Sequence, residues 1–505
     1  MLFSYIKTAL RIITKNRLYS ALNILGLAIG LIAFIFILIY VKVEANYDTY
    51  NKKHDRIHRL ESSFVISGKS EEFAIVPIPM APALKQEFPE IESFVRFSTG
   101  GNQLLRFGEK QYYEKEFYFA DSAVFDVFSY TLLKGNPQTA LVEPNSVVLT
   151  QSTANKYFKD ENPIGKVLLD AENDQFKVTG VMKDLPHNTH LKFDGLFSAT
   201  TLAARMGNDR FNNMEPGSFW NIGLYSYILL KENTSIDAIH DKFPSFYDKY
   251  MRAIGDQINA SFSLLTTPLA KTHFSGHYAS DRPKGNMTYL YIFSAVGLFI
   301  LIIAAINYMN MATARSVKRA KEVGIRKVSG AHKGQLIKQF LSESVILTFI
   351  SLIVAAVVVY LLFPNFQNLI GKELSLSVFF DLSLWIQVLG AALLIGLLAG
   401  SYPAFYLSSF NPAQVLKGTI SGKAGGSGRL RKTLVVVQFW IAIMMIIGTL
   451  IISEQLSFLR SKDLGFQKEN MIVMELQDST FRSKGQSFKK ELMNHPDIIS
   501  ATTST

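Results

Sequence analysis

Five stretches of about 20 residues without Asp, Glu, Lys or Arg constrain this chain more than any other feature. A helix of that length crosses the ~30 Å hydrocarbon core of a bilayer. Buried helices of soluble proteins usually carry one apolar stripe, whereas these stretches are apolar nearly all round. The sequence therefore predicts five transmembrane helices, over residues 22–41, 289–311, 345–363, 384–407 and 434–452.

The basic residues between these stretches predict the orientation of the chain. Residues 1–21, 312–344 and 408–433 carry 17 of the 52 Lys and Arg residues but only two of the 41 Asp and Glu residues. Short loops rich in Lys and Arg remain in the cytoplasm, whereas acidic residues have little influence. We therefore expect a cytoplasmic N-terminus and an external segment over residues 42–288.

The net charge of +11 and the pI near 9.3 could suggest nucleic-acid binding. The excess positive charge lies beside the spans, however, where membrane anchoring accounts for it, so we expect no nucleic-acid partner. The first span is longer than the apolar region of a signal peptide and is interpreted as an uncleaved anchor. With no cysteine, the chain has no disulfides and no thiolate metal ligands.

The segment 42–288 mixes strand and helix patterns, and this indicates a large α+β domain. β-branched runs and turn residues favour strands, whereas polar-apolar spacing favours surface helices. The clearest strands are predicted at Asn145–Leu149 and Phe176–Val181, and the clearest helices at Gln151–Phe158 and Ile236–Ile254. The fold class is accordingly an α-helical transmembrane bundle plus a large α+β external domain.

Residues 289–418 form a predicted membrane domain with three spans, and residues 419–433 are rich in Gly, Ser and Lys, as in a cytoplasmic linker. Residues 429–452 then repeat the pattern of residues 1–41, a basic segment followed by an apolar span. Residues 453–505 would begin a second external domain. We therefore expect a fragment of a longer, internally duplicated protein.

The loop 312–344, called the elbow here, holds the most informative motif. Its basic residues alternate with apolar ones, it breaks at Gly330, and it resumes as an amphipathic run. Such an elbow can dock on another protein, with Val323 and Ile325 as buried anchors, Gly324 allowing close approach, and positive charge at the rim. The alternative is a loop that only sets topology. The candidate docking residues are Lys321, Glu322, Val323, Gly324, Ile325, Arg326, Lys327, Gly330 and Ala331.

Two of the spans contain glycine pairs or proline at positions that affect helix packing or helix geometry. Gly26 and Gly30, and likewise Gly396 and Gly400, have the GxxxG spacing that lets membrane helices approach closely. Pro403 is expected to end or kink the fourth span at its inner face. A short helix is expected after Asn411.

No motif for catalysis, cofactor binding or metal binding is found. The chain has no G-x-x-x-x-G-K-[ST], H-E-x-x-H or G-x-S-x-G sequence. The pairs His54 with His58 and His187 with His190 lack a completing carboxylate cluster, so we interpret them as turn or surface residues. No catalytic residue is assigned, and no cofactor is expected.

The chain resembles the FtsX-like, MacB-type permeases of ABC transport systems, of the kind abundant in Bacteroidetes-type bacteria. The resemblance covers essentially the whole sequence. It rests on Lys321–Ala331, Phe340–Glu343, Tyr402–Pro412 and Val415–Gly418, and on the external strings Asn46–Asn51, Asn162–Lys166, Val178–Pro186 and His190–Asp194.

The resemblance implies a multi-pass permease of the bacterial inner membrane, with 42–288 as a periplasmic core domain and 289–418 as the FtsX-like permease domain. It implies that the elbow contacts a separate cytoplasmic ABC ATPase, which binds the ATP, and that a second permease copy completes the complex. A periplasmic adaptor and an outer-membrane channel are further candidate partners. The expected role is export or extraction of a peptide, drug, lipid or lipoprotein. The alternative is a signal transmitter that controls a cell-wall hydrolase or sensor kinase, and a membrane enzyme ranks third.

Overall fold

The computed structural model describes residues 17–276, 278–314, 316–372, 374–409, 425–462, 471–474 and 484–502. The chain divides into two compact units. The first, here the membrane unit, comprises residues 1–45 and 287–468, and the second comprises residues 46–286 and 469–505. We call residues 46–286 the sheet domain.

The helices of the described residues are α1 (Arg17–Ala45), α2 (Met80–Glu87), α3 (Val124–Val127), α4 (Gln151–Phe158), α5 (Ala199–Met206), α6 (Asn208–Phe211), α7 (Asp237–Tyr250), α8 (Arg252–Ile258), α9 (Met287–Ala314), α10 (Ser316–Val328), α11 (Lys333–Ile370), α12 (Leu382–Ser408), α13 (Gly425–Ser461) and α14 (Gly485–Leu492), with residue 315 outside the description. The strands are β1 (Ile57–Ile66), β2 (Lys69–Phe73), β3 (Val76–Pro77), β4 (Ile91–Thr99), β5 (Gln103–Phe107), β6 (Lys110–Glu114), β7 (Phe117–Ala120), β8 (Leu132–Lys134), β9 (Ser146–Thr150), β10 (Val167–Leu169), β11 (Gln175–Met182), β12 (Gly195–Ser198), β13 (Ile222–Leu230) and β14 (Ala260–Pro268).

All five predicted spans lie within helices long and apolar enough to cross a membrane, namely α1, α9, α11, α12 and α13. Helices suit this environment because they satisfy every backbone hydrogen bond internally. Helices α1, α9, α11 and α12 share one core, in which Leu31, Leu301 and Val388 are buried. Most side chains of α13 point outward, as Trp440 does.

The helices extend beyond the apolar stretches, and this corrects three boundaries. Pro403 does not end the fourth span, because α12 continues through it to Ser408. Helix α13 begins at Gly425, so the last part of the predicted linker 419–433 is helical. It continues to Ser461, past the predicted start of the second external domain. Hydropathy reports which part of a helix can lie in hydrocarbon, not where the helix begins and ends.

The strands of the sheet domain form one mixed sheet. Its order is β14-β1-β13-β4-β7-β12-β9-β11-β10-β5-β6, with β2 on β1, β3 on β13 and β8 on β11. Strand β9 is parallel to β11 and β7 is parallel to β12, whereas the other pairs are antiparallel. Helices cover the sheet and bury aromatic side chains against it, such as Phe243 of α7 and Tyr157 of α4.

The predicted elements of this domain are found close to their predicted bounds. Helix α4 spans Gln151–Phe158 as predicted, capped by the Thr150 hydroxyl, which accepts from the Thr153 amide at 3.3 Å. The predicted helix 236–254 is instead two helices, α7 and α8. The chain leaves helical geometry at Met251, whose side chain is buried in the core, so packing overrides local propensity there.

Two histidines do not lie where the sequence placed them. His58 is buried within β1, and His190 is buried beneath the sheet face, although both were interpreted as turn or surface residues. His187 is exposed, as expected. The error arose because sequence spacing does not show which positions are covered by segments that are distant in the chain.

Candidate coupling site

The elbow contains an amphipathic helix, α10, that packs against the ends of two membrane helices. Val323 is 2% exposed and contacts a small apolar cluster. Leu336 and Phe340 of α11 and Ala404 and Leu407 of α12 supply the rest of this cluster. The elbow is therefore held on the α11–α12 hairpin by hydrophobic packing within the chain itself.

Two polar contacts clamp α10 to α11. The Arg319 guanidinium donates to both carboxylate oxygens of Glu343, at 2.9 and 2.7 Å, and also lies 5.0 Å from the centre of the Phe340 ring. Arg326 donates to Gln339 Oε1 at 2.6 Å. Both carboxylate oxygens accept from the same guanidinium nitrogen, Nη2. Hydrogen bonds between charged groups are about twice as strong as neutral ones, so this clamp holds the elbow helix against α11.

The elbow helix ends in a defined stop signal. Gly330 has φ +93°, the left-handed region that glycine tolerates best. The Gly330 amide donates to the Lys327 carbonyl at 3.1 Å and the Ala331 amide to the Arg326 carbonyl at 3.0 Å, as in a Schellman motif. His332 then caps the start of α11. The predicted break of the elbow helix at Gly330 is thus confirmed, and its cause is the left-handed backbone conformation of that residue.

The outward face of α10 differs from the face that the sequence suggested. Val323 faces the chain's own core, whereas Ile325 is 58% exposed. Two residues along a helix are separated by about 200° of rotation, so these two side chains cannot anchor one partner. Val328 is 67% exposed and lies three residues from Ile325, on the same face. The exposed apolar pair is therefore Ile325 and Val328, and the interpretation of Val323 as an outward anchor is wrong.

The remaining candidate residues surround this pair. Lys321 and Glu322 are exposed, and Glu322 pairs with Arg326 at 2.8 Å. Lys327 and Ala331 are half-buried, and Gly324 is buried. Arg319 and Glu343, which form the clamp, were missed as site residues. A signal was present, because Glu343 is one of only two acids in the basic elbow segment and faces the apolar surface.

The predicted GxxxG seams are sites of close helix contact. A Cβ built on Gly400 of α12 would lie 2.6 Å from Ser344 Oγ of α11, and one on Gly396 would lie 3.0 Å from backbone of α11. A Cβ on Gly30 of α1 would lie 2.8 Å from the Ala304 Cβ of α9. Only glycine fits such contacts without displacing the partner helix. The hairpin that carries the elbow is therefore tightly packed.

Within the described ranges, no three His, Asp or Glu side chains come close enough to hold a metal ion. The short helix expected after Asn411 lies outside the described residues.

Five membrane-length apolar helices and a mixed sheet domain together define a multi-pass membrane protein with a large globular domain. Two family models match it. The MacB-like periplasmic core domain matches residues 20–245, and the FtsX-like permease C-terminal model matches residues 294–412. Together they cover about two thirds of the 505 residues. The chain belongs to the MacB and FtsX-like family of ABC transporter permeases.

Relatives with these features differ in length. An ABC transporter permease of Methanocaldococcus jannaschii is 24% identical over 429 residues, which cover 81% of this chain and 96% of that protein. The macrolide export ATP-binding/permease protein MacB of Marinobacter nauticus is 22% identical over 425 residues. These cover 81% of this chain but only 60% of that MacB. A solved domain assigned to a permease protein from Porphyromonas gingivalis is 22% identical, with a TM-score of 0.39, covering 48% of this chain and 98% of that one.

Proposed function

We propose that the chain is a permease subunit that couples ATP hydrolysis in a separate cytoplasmic ABC ATPase to movement of its sheet domain. In this proposal the elbow faces the cytoplasm and the sheet domain faces the periplasm of a bacterial inner membrane. The concentration of 17 basic residues in three short segments beside the spans supports that orientation. The complex would contain a second permease copy.

The observation that carries the proposal is a rigid elbow with an exposed apolar pair. The Arg319–Glu343 clamp and the buried Val323 fix α10 to the α11–α12 hairpin, whereas Ile325 and Val328 are mostly exposed. An exposed apolar patch rimmed by charge is typical of a protein interface. A partner that moves this patch would move the hairpin with it.

ATP would be bound by the partner. The 505 residues contain no P-loop sequence, so the chain has no motif to cradle phosphates and Mg²⁺ itself. The MacB of Marinobacter nauticus is named as both ATP-binding and permease protein, and this chain spans 60% of it. The substrate would be taken from the periplasmic side, as a peptide, drug, lipid or lipoprotein, with an adaptor and outer-membrane channel as further partners.

The test is a reconstitution of the permease with the ABC ATPase encoded beside its gene. The double variant Ile325→Asp, Val328→Asp should lose co-purification and permease-stimulated ATP hydrolysis, because each buried anchor of an interface contributes at least about 2 kcal/mol. Together these losses lower the affinity by a factor of about a thousand. Ile258→Asp is the matched control, since it places the same charge on an exposed apolar residue of the sheet domain.

The variant Val323→Asp separates docking from elbow packing. It buries a carboxylate in the α10–α11–α12 cluster and should expose the elbow to limited proteolysis, whereas the Ile325 and Val328 variant should not. If the double variant assembles and stimulates hydrolysis like the wild type, the elbow does not carry the contact. Residues 411–418 would then be the next segment to test.

A further inference from the structure

Two segments of the sheet domain connect to membrane helices, and the first is fixed by a buried polar chain. Residues 46–51 follow α1 and contain turns but no strand or helix. The Asp48 amide donates to the Asn188 carbonyl at 2.8 Å, and the Asp48 carboxylate lies 2.8 Å from His190 Nδ1. His190 Nε2 lies 2.6 Å from the Tyr227 hydroxyl on β13. This segment is therefore tied to β13, an interior strand of the sheet.

The second segment, residues 278–286, leads into α9 and is tied to β13 and to its neighbour β1. Arg59 of β1 donates to Asp281 through Nη1 at 2.9 Å and through Nη2 at 3.2 Å. Asp281 also pairs with Lys284 at 2.5 Å. The Tyr225 hydroxyl of β13 donates to the Ser280 carbonyl at 2.5 Å. Side chains of two sheet residues, Arg59 and Tyr225, thus hold a stretch that contains a single isolated bridge and no regular element.

The two sets of contacts meet on one face of the sheet. Arg59 is the cross-strand neighbour of Tyr227, so the residues that receive the two segments lie side by side. Arg59 is 1% exposed and also donates to Glu61, which accepts from Thr267. We call Asp48, His190, Tyr227, Arg59, Glu61, Asp281 and Lys284 the buried network.

Stability alone does not explain this arrangement. A buried ion pair is often no more stabilising than an apolar pair of the same volume, because both charges lose their hydration. Removing one partner is different, since it leaves an uncompensated buried charge. The network therefore resists small displacements of either segment, whereas apolar packing alone would allow sliding.

Building on the proposed function, we propose that the buried network is the joint that makes residues 46–51 and 278–286 one rigid body with the sheet. Movement of α1 and α9 then turns the sheet domain instead of being absorbed in flexible connections. Asp281 and Arg59 are positioning residues of this joint. The two segments are far apart in sequence, and the network joins them through neighbouring residues of two adjacent strands.

The test uses pulsed electron spin distance measurements on the full chain with its ATPase in nanodiscs. The chain contains no cysteine, so Asn155→Cys on the sheet domain and Leu369→Cys on α11 can be spin-labelled without background. Both positions are exposed. Distances are measured without nucleotide and with ATP plus orthovanadate. In the labelled protein with an intact network we expect a narrow distribution of distances between the two spin labels. Its mean should shift when ATP plus orthovanadate is added.

Asp281→Asn should broaden the distance distribution measured without nucleotide and abolish the shift caused by ATP plus orthovanadate. Co-purification with the ATPase should be retained. The matched control is Asp248→Asn, which removes an exposed ion pair to Arg252 in the same domain and should behave like the unmodified joint. Tyr225→Phe deletes one hydroxyl contact to the same segment and should broaden the distribution less. If Asp281→Asn does not fold, the Tyr225→Phe variant provides the test of the joint.

The outcomes separate this proposal from the proposed function. A nucleotide-dependent shift of unchanged size and width in both joint variants overturns the joint. If the permease with an intact network stimulates ATP hydrolysis but shows no shift in distance, the joint is also overturned. The proposed coupling to the ATPase is then unaffected. Failure of the unmodified permease to bind or stimulate the ATPase refutes the proposed function itself, and the joint with it.

Discussion

Replacing Glu343 by Leu tests whether the polar clamp holds the elbow helix in place. Glu343 is 5% exposed, and it is the carboxylate that receives both hydrogen bonds from Arg319. Breaking a buried pair by removing one partner costs about 3–5 kcal/mol. Because a fifth of the Arg319 side chain reaches the surface, we expect the lower end, about 3 kcal/mol. The opening of α10 from α11 should become more frequent by about a hundredfold.

Hydrogen exchange of the full chain in detergent micelles measures this opening directly. Amides of α10 should exchange about a hundredfold faster in Glu343→Leu, while peptides of the sheet domain keep their wild-type rates. The double variant Arg319→Met, Glu343→Leu replaces both charges with apolar groups and should recover most of the protection, because no charge is left unpaired. Glu343→Gln should lie between these two.

Two results would refute the reasoning. Wild-type exchange of α10 in Glu343→Leu would show that Val323 and its apolar neighbours hold the elbow without the clamp. An elbow as open in the double variant as in the single one would show that the effect comes from lost volume and not from an unpaired Arg319.

The other predictions concern helix packing, pH dependence and orientation. Gly400→Ala should lower the free energy of unfolding by about 1–3 kcal/mol, because its Cβ would lie 2.6 Å from an α11 hydroxyl, whereas Gly390→Ala has open space and should be neutral in thermal unfolding scans. Burial, and secondarily a neighbouring histidine, lowers the pKa of His58 from 6.5 to about 4. Stability tied to neutral His58 is therefore complete above pH 6.5 and is lost as the pH falls from 6.5 to 4, by about 3 kcal/mol. His58→Leu should make denaturant midpoints of the sheet domain less dependent on pH in that range, and an unchanged slope would contradict the assignment. Reporter enzymes fused after Asn162 and after Lys321 should report the periplasm and the cytoplasm respectively, and a cytoplasmic signal at Asn162 would reverse the proposed orientation.

The spans, the end of the elbow helix and several elements of the sheet domain could be predicted from the sequence. Each depends on interactions within one short segment. An uncharged run of about 20 residues specifies a membrane helix because the bilayer has a fixed thickness. Gly330 ends α10 because the left-handed conformation favours glycine, and Thr150 starts α4 because its side chain replaces a missing backbone acceptor.

The roles of individual site residues required the tertiary structure. The motif predicted an apolar elbow with a glycine break, but the direction that Val323 faces depends on where α11 and α12 pass. Similarly, Asp48, His190 and Tyr227 come from three distant segments, and the sequence shows no spacing that connects them. Side-chain periodicity reports that one face of a helix or strand will be buried. Which neighbour covers that face, and which polar groups it brings into contact, is decided by packing between segments that are remote in the chain.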